Sequence, residues 1–128
     1  MSPLTDLTDP HDGTRVTNAL RDPVLSQKRG VEMRAMYVGG ESEKMLHPYV
    51  SPAFGDFTGL TRLLFQAGST EILLDDSRRC VERARAAGVD AELEVWKDAP
   101  HGWQGLPFAP ESGRAIEHCA DFVRECCP

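Results

Sequence analysis

The chain has 128 residues, and its 14 Lys+Arg against 20 Asp+Glu give a formal net charge of −6. An apolar fraction of 41% and a charged fraction of 27% are typical of a globular protein and predict one folded domain. The acidic balance argues against nucleic-acid binding, because no basic run could replace the counterions of a phosphate backbone. The short apolar runs predict no membrane span, and the absence of a signal-peptide pattern predicts a cytoplasmic location.

The first part of the chain, residues 1–60, is predicted to consist of loops and one helix. Residues 1–25 are dense in proline, aspartate and glycine, which favour turns and leave no room for a long regular element. Ser26 is a good helix-capping residue, and the apolar spacing after it predicts a helix over residues 27–38, which a glycine pair ends. The apolar positions of this helix are Val31, Ala35 and Val38.

Residues 41–59 are predicted to be irregular but ordered. Prolines and glycines recur through this segment and favour turns. Three aromatic residues lie between them, namely Tyr49, Phe54 and Phe57. Because large rings lose the most by staying in water, we expect them to hold the segment against the surface of the domain.

The remaining part, residues 61–128, is predicted to run strand, helix, strand, helix. An apolar run at residues 63–65 predicts a strand covered on both faces. A helix is predicted from the acidic pair at residues 75 and 76 to Gly88, with one apolar face. Alternation of apolar residues and glutamates over residues 91–95 predicts a second strand that has one solvent-exposed face or lies near the margin of the sheet. The apolar face of a final amphipathic helix is predicted from Ala115, Ile116, Cys119, Phe122, Val123 and Cys126.

Two loops of this arrangement carry residues suited to catalysis. A crossover helix implies parallel strands and an α/β fold, in which ligands collect at the carboxyl ends of the strands. Glu71 follows the first strand and His101 follows the second. Neighbouring strands are about 4.8 Å apart, so the two side chains can meet. A carboxylate on one imidazole nitrogen fixes the tautomer and leaves the other nitrogen to take a proton from a nucleophile.

Four segments of the chain also resemble a known family. They read Ser-Pro-Leu-Thr-Asp-Leu at 2–7, Gly-Ser-Thr-Glu-Ile-Leu-Leu-Asp-Asp-Ser at 68–77, Arg-Ala-Arg-Ala-Ala-Gly-Val at 83–89 and Pro-His-Gly-Trp at 100–103. The sequence is similar to the C-terminal part of α/β-hydrolases of the hormone-sensitive-lipase esterase family, over nearly its whole length. The resemblance implies a partial α/β-hydrolase fold and hydrolysis of small carboxylic esters of short or medium acyl chain, without a metal or organic cofactor.

The resemblance also assigns roles to the two loop residues. By position, Glu71 and His101 would be the acid and the histidine of a Ser-acid-His triad. The family more often has aspartate where Glu71 stands, so Asp75 and Asp76 remain alternatives for the acid. Both are also favourable as charges at a helix start, which is the simpler interpretation. Trp103 would either line the substrate pocket or pack its loop against the domain.

The nucleophile of such a triad is missing from this sequence. The family carries a Gly-x-Ser-x-Gly nucleophile elbow and a His-Gly-Gly-Gly-type oxyanion loop, both before the acid. None of the seven serines has glycines two residues before and two after it, and Ser42 comes nearest with a glycine on one side. We therefore expect the chain alone to be inactive, because loss of one triad member costs on the order of 10⁴- to 10⁶-fold in turnover.

The other reactive side chains are expected to be structural. Cys119 and Cys126 share the apolar face of the last helix, and with His118 they lack the spacing of a zinc site, so no metal is predicted. Cys126 and Cys127, near the chain end, are expected to be oxidation-prone thiols. The arginines of the first helix after the apolar strand are expected to form a solvated surface, and these are Arg78, Arg79, Arg83 and Arg85.

A function other than catalysis is also open. Without further strands, the apolar strand would expose one edge with unpaired backbone groups, which favours association. The alternative is therefore a non-enzymatic remnant or interaction module that binds a second copy or a partner chain through this edge.

Overall fold

The computed structural model describes residues 1–8 and 13–126 of the chain. Within them, the regular elements are two strands and four α-helices, with three 3-10 turns between them. His11 and Cys127 lie outside the described residues. In chain order the elements are α1 (Gly13–Thr17), α2 (Gln27–Tyr37), β1 (Leu63–Gly68), α3 (Leu74–Ala86), β2 (Ala91–Trp96) and α4 (Pro110–Cys126).

The two strands form a parallel pair, as the strand-helix-strand order predicts. Leu63 lies opposite Ala91, and Gly68 lies opposite Trp96 at the carboxyl end. The connection between the strands contains α3, which brings both carboxyl ends to the same edge of the sheet. The α/β fold class is confirmed, and the loops that carry Glu71 and His101 leave the sheet side by side.

Helices α3 and α4 lie on opposite faces of this sheet. Leu63 and Phe65 of β1 pack on the apolar cluster that includes Cys80 and Ala84 of α3. Gln66 of the same strand instead donates from its amide to the carbonyl of Ala115 in α4. Because successive side chains of a strand point to opposite faces, the two helices sandwich the sheet.

The core is small, and α3 contributes three of the seven buried residues of its larger cluster. These seven come from α3, the turn after it, the start of β2 and the segment before β1, and they are Ala53, Phe57, Cys80, Val81, Ala84, Val89 and Ala91. Burial raises the pKa of the Cys80 thiol, which keeps it protonated and unreactive. A second cluster beneath the His101 loop is formed by Ala99, Trp103 and Ala115.

The apolar run of β1 is less covered than its sequence predicts. Residues 63–65 are only half-buried, whereas Gln66 and Ala67 are buried. Two strands with one helix on each face are too narrow to enclose the amino-terminal end of β1. The expectation of a strand covered on both faces along its apolar run is therefore wrong for the described residues.

The segment before β1 contains more helix than the sequence predicts. The helix expected over residues 27–38 is present as α2, and the Ser26 hydroxyl accepts from Arg29 N as its N-cap. Helix α1 lies inside the region expected to be loop. Its first turn is capped from a distance, because the carboxylate of Asp75 accepts from Thr14 N at 2.7 Å. This acceptor is 61 residues away in sequence, so local turn propensity did not reveal it.

Several apolar side chains predicted to be packed are exposed instead. Of the α2 positions, Val38 is buried, whereas Val31 and Ala35 are exposed. Among the rings of residues 41–59, Phe57 is buried but Tyr49 is 90% exposed. In α4, Cys126 is exposed, so its predicted core role is wrong, and Ile116 and Val123 are more than half exposed. No described element covers these faces.

A buried ion pair joins the start of the chain to α3. Both oxygens of Asp76, which has no exposed surface, accept from the guanidinium of Arg15, at 2.8 and 3.0 Å. The backbone amides of Thr5 and Asp6 also donate to this carboxylate. Arg79 lies 3.1 Å from Asp6 and 3.5 Å from Asp76, so it belongs to this cluster and not to a solvated surface as predicted.

Among the described helices, none is long and apolar enough to cross a membrane.

Candidate active site

Glu71 and His101 meet at the carboxyl edge of the sheet. His101 Nδ1 lies 3.0 Å from Glu71 Oε2, which is hydrogen-bond distance. The Glu71 side chain has no exposed surface, whereas the His101 side chain is 27% exposed. With Nδ1 protonated and donating to the carboxylate, the Nε2 lone pair is left free to accept a proton. The structure thus brings together the two residues that the sequence predicts as a pair.

The second oxygen of the Glu71 carboxylate is held from two sides. Oε1 accepts from the backbone amide of Gly68 at 2.6 Å and from the hydroxyl of Ser2 at 3.1 Å. A buried carboxylate needs such donors, because burying a charge without partners costs several kcal/mol. The two donors satisfy this oxygen, and the other oxygen, Oε2, contacts His101.

The two loops are joined by the residues just before Glu71. The Ser69 hydroxyl accepts from Asp98 N at 2.8 Å, and the Thr70 hydroxyl donates to Ala99 O at 2.8 Å. Asp98 has a φ of 56°, a left-handed conformation that a non-glycine residue rarely adopts. The hydrogen bond that Asp98 N donates to Ser69 stabilises this conformation. These contacts set the distance between the Glu71 loop and the His101 loop.

Gly68 allows the two loops to approach each other. A Cβ placed on Gly68 would overlap with the carbonyl oxygen of Ala99, which is backbone and has little freedom to move. At this position any larger side chain would push the His101 loop away from the strand end. A glycine is required here by the close approach of the Ala99 carbonyl, and not by backbone conformation, because the φ of Gly68 is not positive.

We expect Gly68→Ala to destabilise the fold by about 1–3 kcal/mol and to separate Glu71 from His101. Denaturant unfolding measures the first effect, and the hydrogen-bonded proton of His101 in the NMR spectrum reports the second. Gly105→Ala is the matched control, because nothing lies within 4 Å of a Cβ placed there. A Gly68→Ala chain as stable as the control would contradict the described contact between the loops.

Buried polar residues near the start of the chain fix the backbone around Glu71. The Asn18 amide donates to the carbonyls of Ser69 and Glu71, each at 3.0 Å. The Asp22 carboxylate accepts from Ile72 N at 3.0 Å, and the Thr14 hydroxyl donates to Ile72 O. These residues could not be recognised from the sequence, because a polar residue in a turn-rich segment carries no local sign of a distant partner.

A cavity of about 330 Å³ opens beside His101. Most of its exposed lining is apolar and comes from residues that include Leu4, Leu25, Met33, Ile72 and Leu73, and three arginines also border it, namely Arg15, Arg29 and Arg34. Apolar walls with a few polar groups are typical of sites for small organic ligands. The exposed part of the imidazole therefore faces a space that suits the acyl or alcohol part of a small ester.

Trp103 lies beneath the His101 loop and away from this cavity. Its side chain is 1% exposed and packs with Ala99 and Ala115, with its ring 5.9 Å from that of Trp96. It borders a different cavity of about 590 Å³ that contains neither Glu71 nor His101. This placement matches the packing alternative for Trp103, and its contact with a substrate stays a prediction.

The two alternative acids are engaged elsewhere. The Asp75 carboxylate accepts from Thr14 N and from Arg78, and although burial raises its pKa, these bonds lower the pKa overall. Burial raises the pKa of Asp76 despite the opposing charge of Arg15. Both carboxylates tie α3 to the start of the chain, and the imidazole of His101 has its hydrogen-bond contact with Glu71.

Other predicted positions are not assembled into a site. Ser42 begins an exposed 3-10 turn, Ser42–Leu46, and none of the described residues before it forms a strand. His118 Nδ1 lies 3.1 Å from Glu94, and Cys119 is only partly buried. Among the described residues, no group of three or more His, Cys, Asp or Glu could hold a metal ion.

Comparison with known proteins places the chain in a family. The model of the alpha/beta hydrolase fold matches residues 1–105. The chain belongs to the alpha/beta hydrolase fold family. An acetyl-hydrolase of Streptomyces hygroscopicus is 37% identical over 125 residues, which cover 97% of this chain and 41% of that protein. An esterase of Acinetobacter venetianus is 33% identical over 124 residues, which cover 96% of the chain and 40% of that protein.

Solved structures agree with this assignment of the alpha/beta hydrolase chain. An esterase from the bacterial hormone-sensitive lipase family has a TM-score of 0.91 at 40% identity, covering 100% of this chain and 42% of its own. A hormone-sensitive lipase from a metagenome library has a TM-score of 0.91 at 35% identity, and the match covers 98% of this chain and 43% of that lipase. The resemblance to the hormone-sensitive-lipase family is confirmed. The chain spans about two-fifths of the length of these relatives.

Proposed function

We propose that this chain is the acid-and-histidine portion of a carboxylic ester hydrolase. The observation that carries the proposal is the 3.0 Å contact between His101 Nδ1 and Glu71 Oε2, beside an apolar cavity. The proposed substrates are small esters with short or medium acyl chains, in keeping with the acetyl-hydrolase and esterase names of the relatives. The proposed reaction needs neither a metal nor an organic cofactor. The cytoplasmic location stays a prediction.

In the proposed mechanism His101 acts first as a base and then as an acid. Its Nε2 takes the proton of a serine hydroxyl as the serine oxygen attacks the ester carbonyl. The resulting imidazolium is stabilised by Glu71 and gives its proton to the departing alcohol, which leaves an acyl-enzyme. Water then attacks the acyl group with His101 again as the base, and the serine is released. The serine of this scheme comes from sequence that the chain does not contain.

Two forms of the protein test the proposal with a p-nitrophenyl ester. The chain alone is expected to give no turnover above background, because the nucleophile and the oxyanion donors are absent. A chimera in which this chain replaces the matched segment of the Streptomyces acetyl-hydrolase is expected to hydrolyse the ester. Turnover by the chain alone that His101→Ala abolishes would place a nucleophile within these residues and contradict the proposed division of the triad.

The alternative function is binding of another chain through the sheet. One observation favours it: among the described strands β1 pairs with β2 alone, so its other edge could take a further strand beyond the point where Ser2 N donates to Gln66 O at 2.7 Å. Exposed side chains such as Met36 and Tyr49 add apolar surface that a second copy or a partner chain could cover. A chimera that folds but shows no ester hydrolysis would support this alternative.

A further inference from the structure

The hydroxyl of Ser2 contacts the proposed triad acid from the opposite end of the chain. Ser2 is 4% exposed, and its Oγ lies 3.1 Å from Glu71 Oε1, across 69 residues of sequence. The same Oγ is 3.4 Å from Gln66 O. A hydroxyl has one proton, and the shorter contact to an ionised carboxylate is the stronger of the two. The Ser2 proton therefore belongs to Glu71.

The backbone of Ser2 is strained in a way that serves this contact. Its φ is 33°, in the left-handed region that non-glycine residues avoid. The following residue is Pro3, and a residue before proline is normally pushed into an extended conformation. Ser2 N also donates to Gln66 O at 2.7 Å, which anchors the residue beside β1. Strain of this kind persists only where the surrounding contacts impose it, and it is concentrated at functional sites.

We propose that Ser2 is a positioning residue that holds the Glu71 carboxylate so that its other oxygen faces His101. This inference rests on the proposed function of the Glu71–His101 pair and adds a third side chain to it. Gly68 N and Ser2 Oγ together occupy Oε1, so the carboxylate cannot rotate freely about its terminal bond. Ser2 itself contacts the acid and not the imidazole, so it is not the missing nucleophile.

The test follows the ring proton of His101 in the chain itself, labelled with ¹⁵N-histidine. In the unchanged chain we expect a slowly exchanging Nδ1 proton far downfield of the amide signals. Ser2→Ala is expected to speed its exchange with solvent by about tenfold, as for the loss of one hydrogen bond to a charged acceptor. Ser2→Gly removes the hydroxyl and also relieves the positive φ, so an equal increase in that variant assigns the effect to the hydroxyl.

Ser51→Ala is the matched control, because Ser51 is fully buried and, within the described part of the chain, its hydroxyl bonds only to backbone atoms of Leu7 and Met45. This control is expected to lower the unfolding temperature without changing the exchange rate of the His101 Nδ1 proton. If Ser2→Ala does not fold, Ser2→Gly carries the test. The inference would be overturned if the exchange rate of the His101 Nδ1 proton is unchanged in a folded Ser2 variant while Glu71→Ala still removes the signal of that proton. If Glu71→Ala leaves the signal unchanged as well, the proposed pair itself is wrong.

Discussion

In the chimera with the acetyl-hydrolase, His101→Ala is expected to lower kcat/KM for a p-nitrophenyl ester by about 10⁴- to 10⁶-fold. The imidazole is the group that activates the serine and protonates the departing alcohol, and no other side chain replaces it. The loss should fall on kcat, because His101 contributes to the transition state more than to substrate binding. Steady-state kinetics with the purified chimera measures both constants.

Glu71→Gln is expected to lower the same kcat by about 10⁴-fold. The amide keeps the size of the side chain but loses the charge that stabilises the imidazolium, and it can select the wrong tautomer of His101. The matched controls are His47→Ala and Glu82→Gln, which change exposed residues outside the site. Equal activity of the Glu71→Gln chimera and its control would contradict the role proposed for Glu71.

Arg15→Met is expected to destabilise the chain by about 3–5 kcal/mol in denaturant unfolding. The substitution keeps an apolar stem but leaves the carboxylate of Asp76 without its closest positive charge in a fully buried place. Asp76 fixes Thr5 and Asp6 through their backbone amides. The start of the chain, and with it Ser2, should therefore loosen in this variant.

Two comparisons separate this cause from a general loss of packing. Arg78→Met removes an ion pair with Asp75 that is partly exposed, so its cost should be about 0–1 kcal/mol. Adding Asp76→Asn to Arg15→Met should restore part of the stability, because no buried charge is then left unpaired. An Arg15→Met chain as stable as Arg78→Met would contradict the importance of the buried pair.

The Arg15→Met deficit should also depend on pH. Burial raises the pKa of Asp76 above its usual value of 3.8. The charge of Arg15 opposes this rise, so its removal raises the pKa of Asp76 further. A carboxyl with a higher pKa in the folded state binds protons there preferentially, so it favours folding at low pH and opposes it as the pH rises. We expect the deficit to be smallest below pH 3.8 and to grow above it, which unfolding curves at several pH values would show.

Short-range patterns in the sequence were enough for the elements nearest the site. The alternation over residues 91–95 and the apolar spacing of α3 depend on which residues face the same side, and this follows from local geometry alone. Once both strands were recognised as parallel, their carboxyl ends had to share an edge. The meeting of Glu71 and His101 could therefore be predicted from their positions after the strands.

The supports of the site could not be predicted in the same way. Ser2, Asn18 and Arg15 reach their partners across 51 to 69 residues of sequence. Each is a polar residue in a turn-rich segment, where the simplest expectation is contact with solvent. The capping of α1 by Asp75 and the exposure of Val31 likewise depend on which elements lie nearby.

By itself, the sequence determined that an acid and a histidine follow two parallel strands at one edge of a sheet, and that these 128 residues contain no Gly-x-Ser-x-Gly nucleophile elbow. Only the tertiary structure decided which oxygen of Glu71 faces His101, what holds the other oxygen, and why Gly68 must be a glycine. The physical reason is range: periodicity and turn chemistry act over a few residues. The partner of a buried polar group is chosen by the packing of the whole chain.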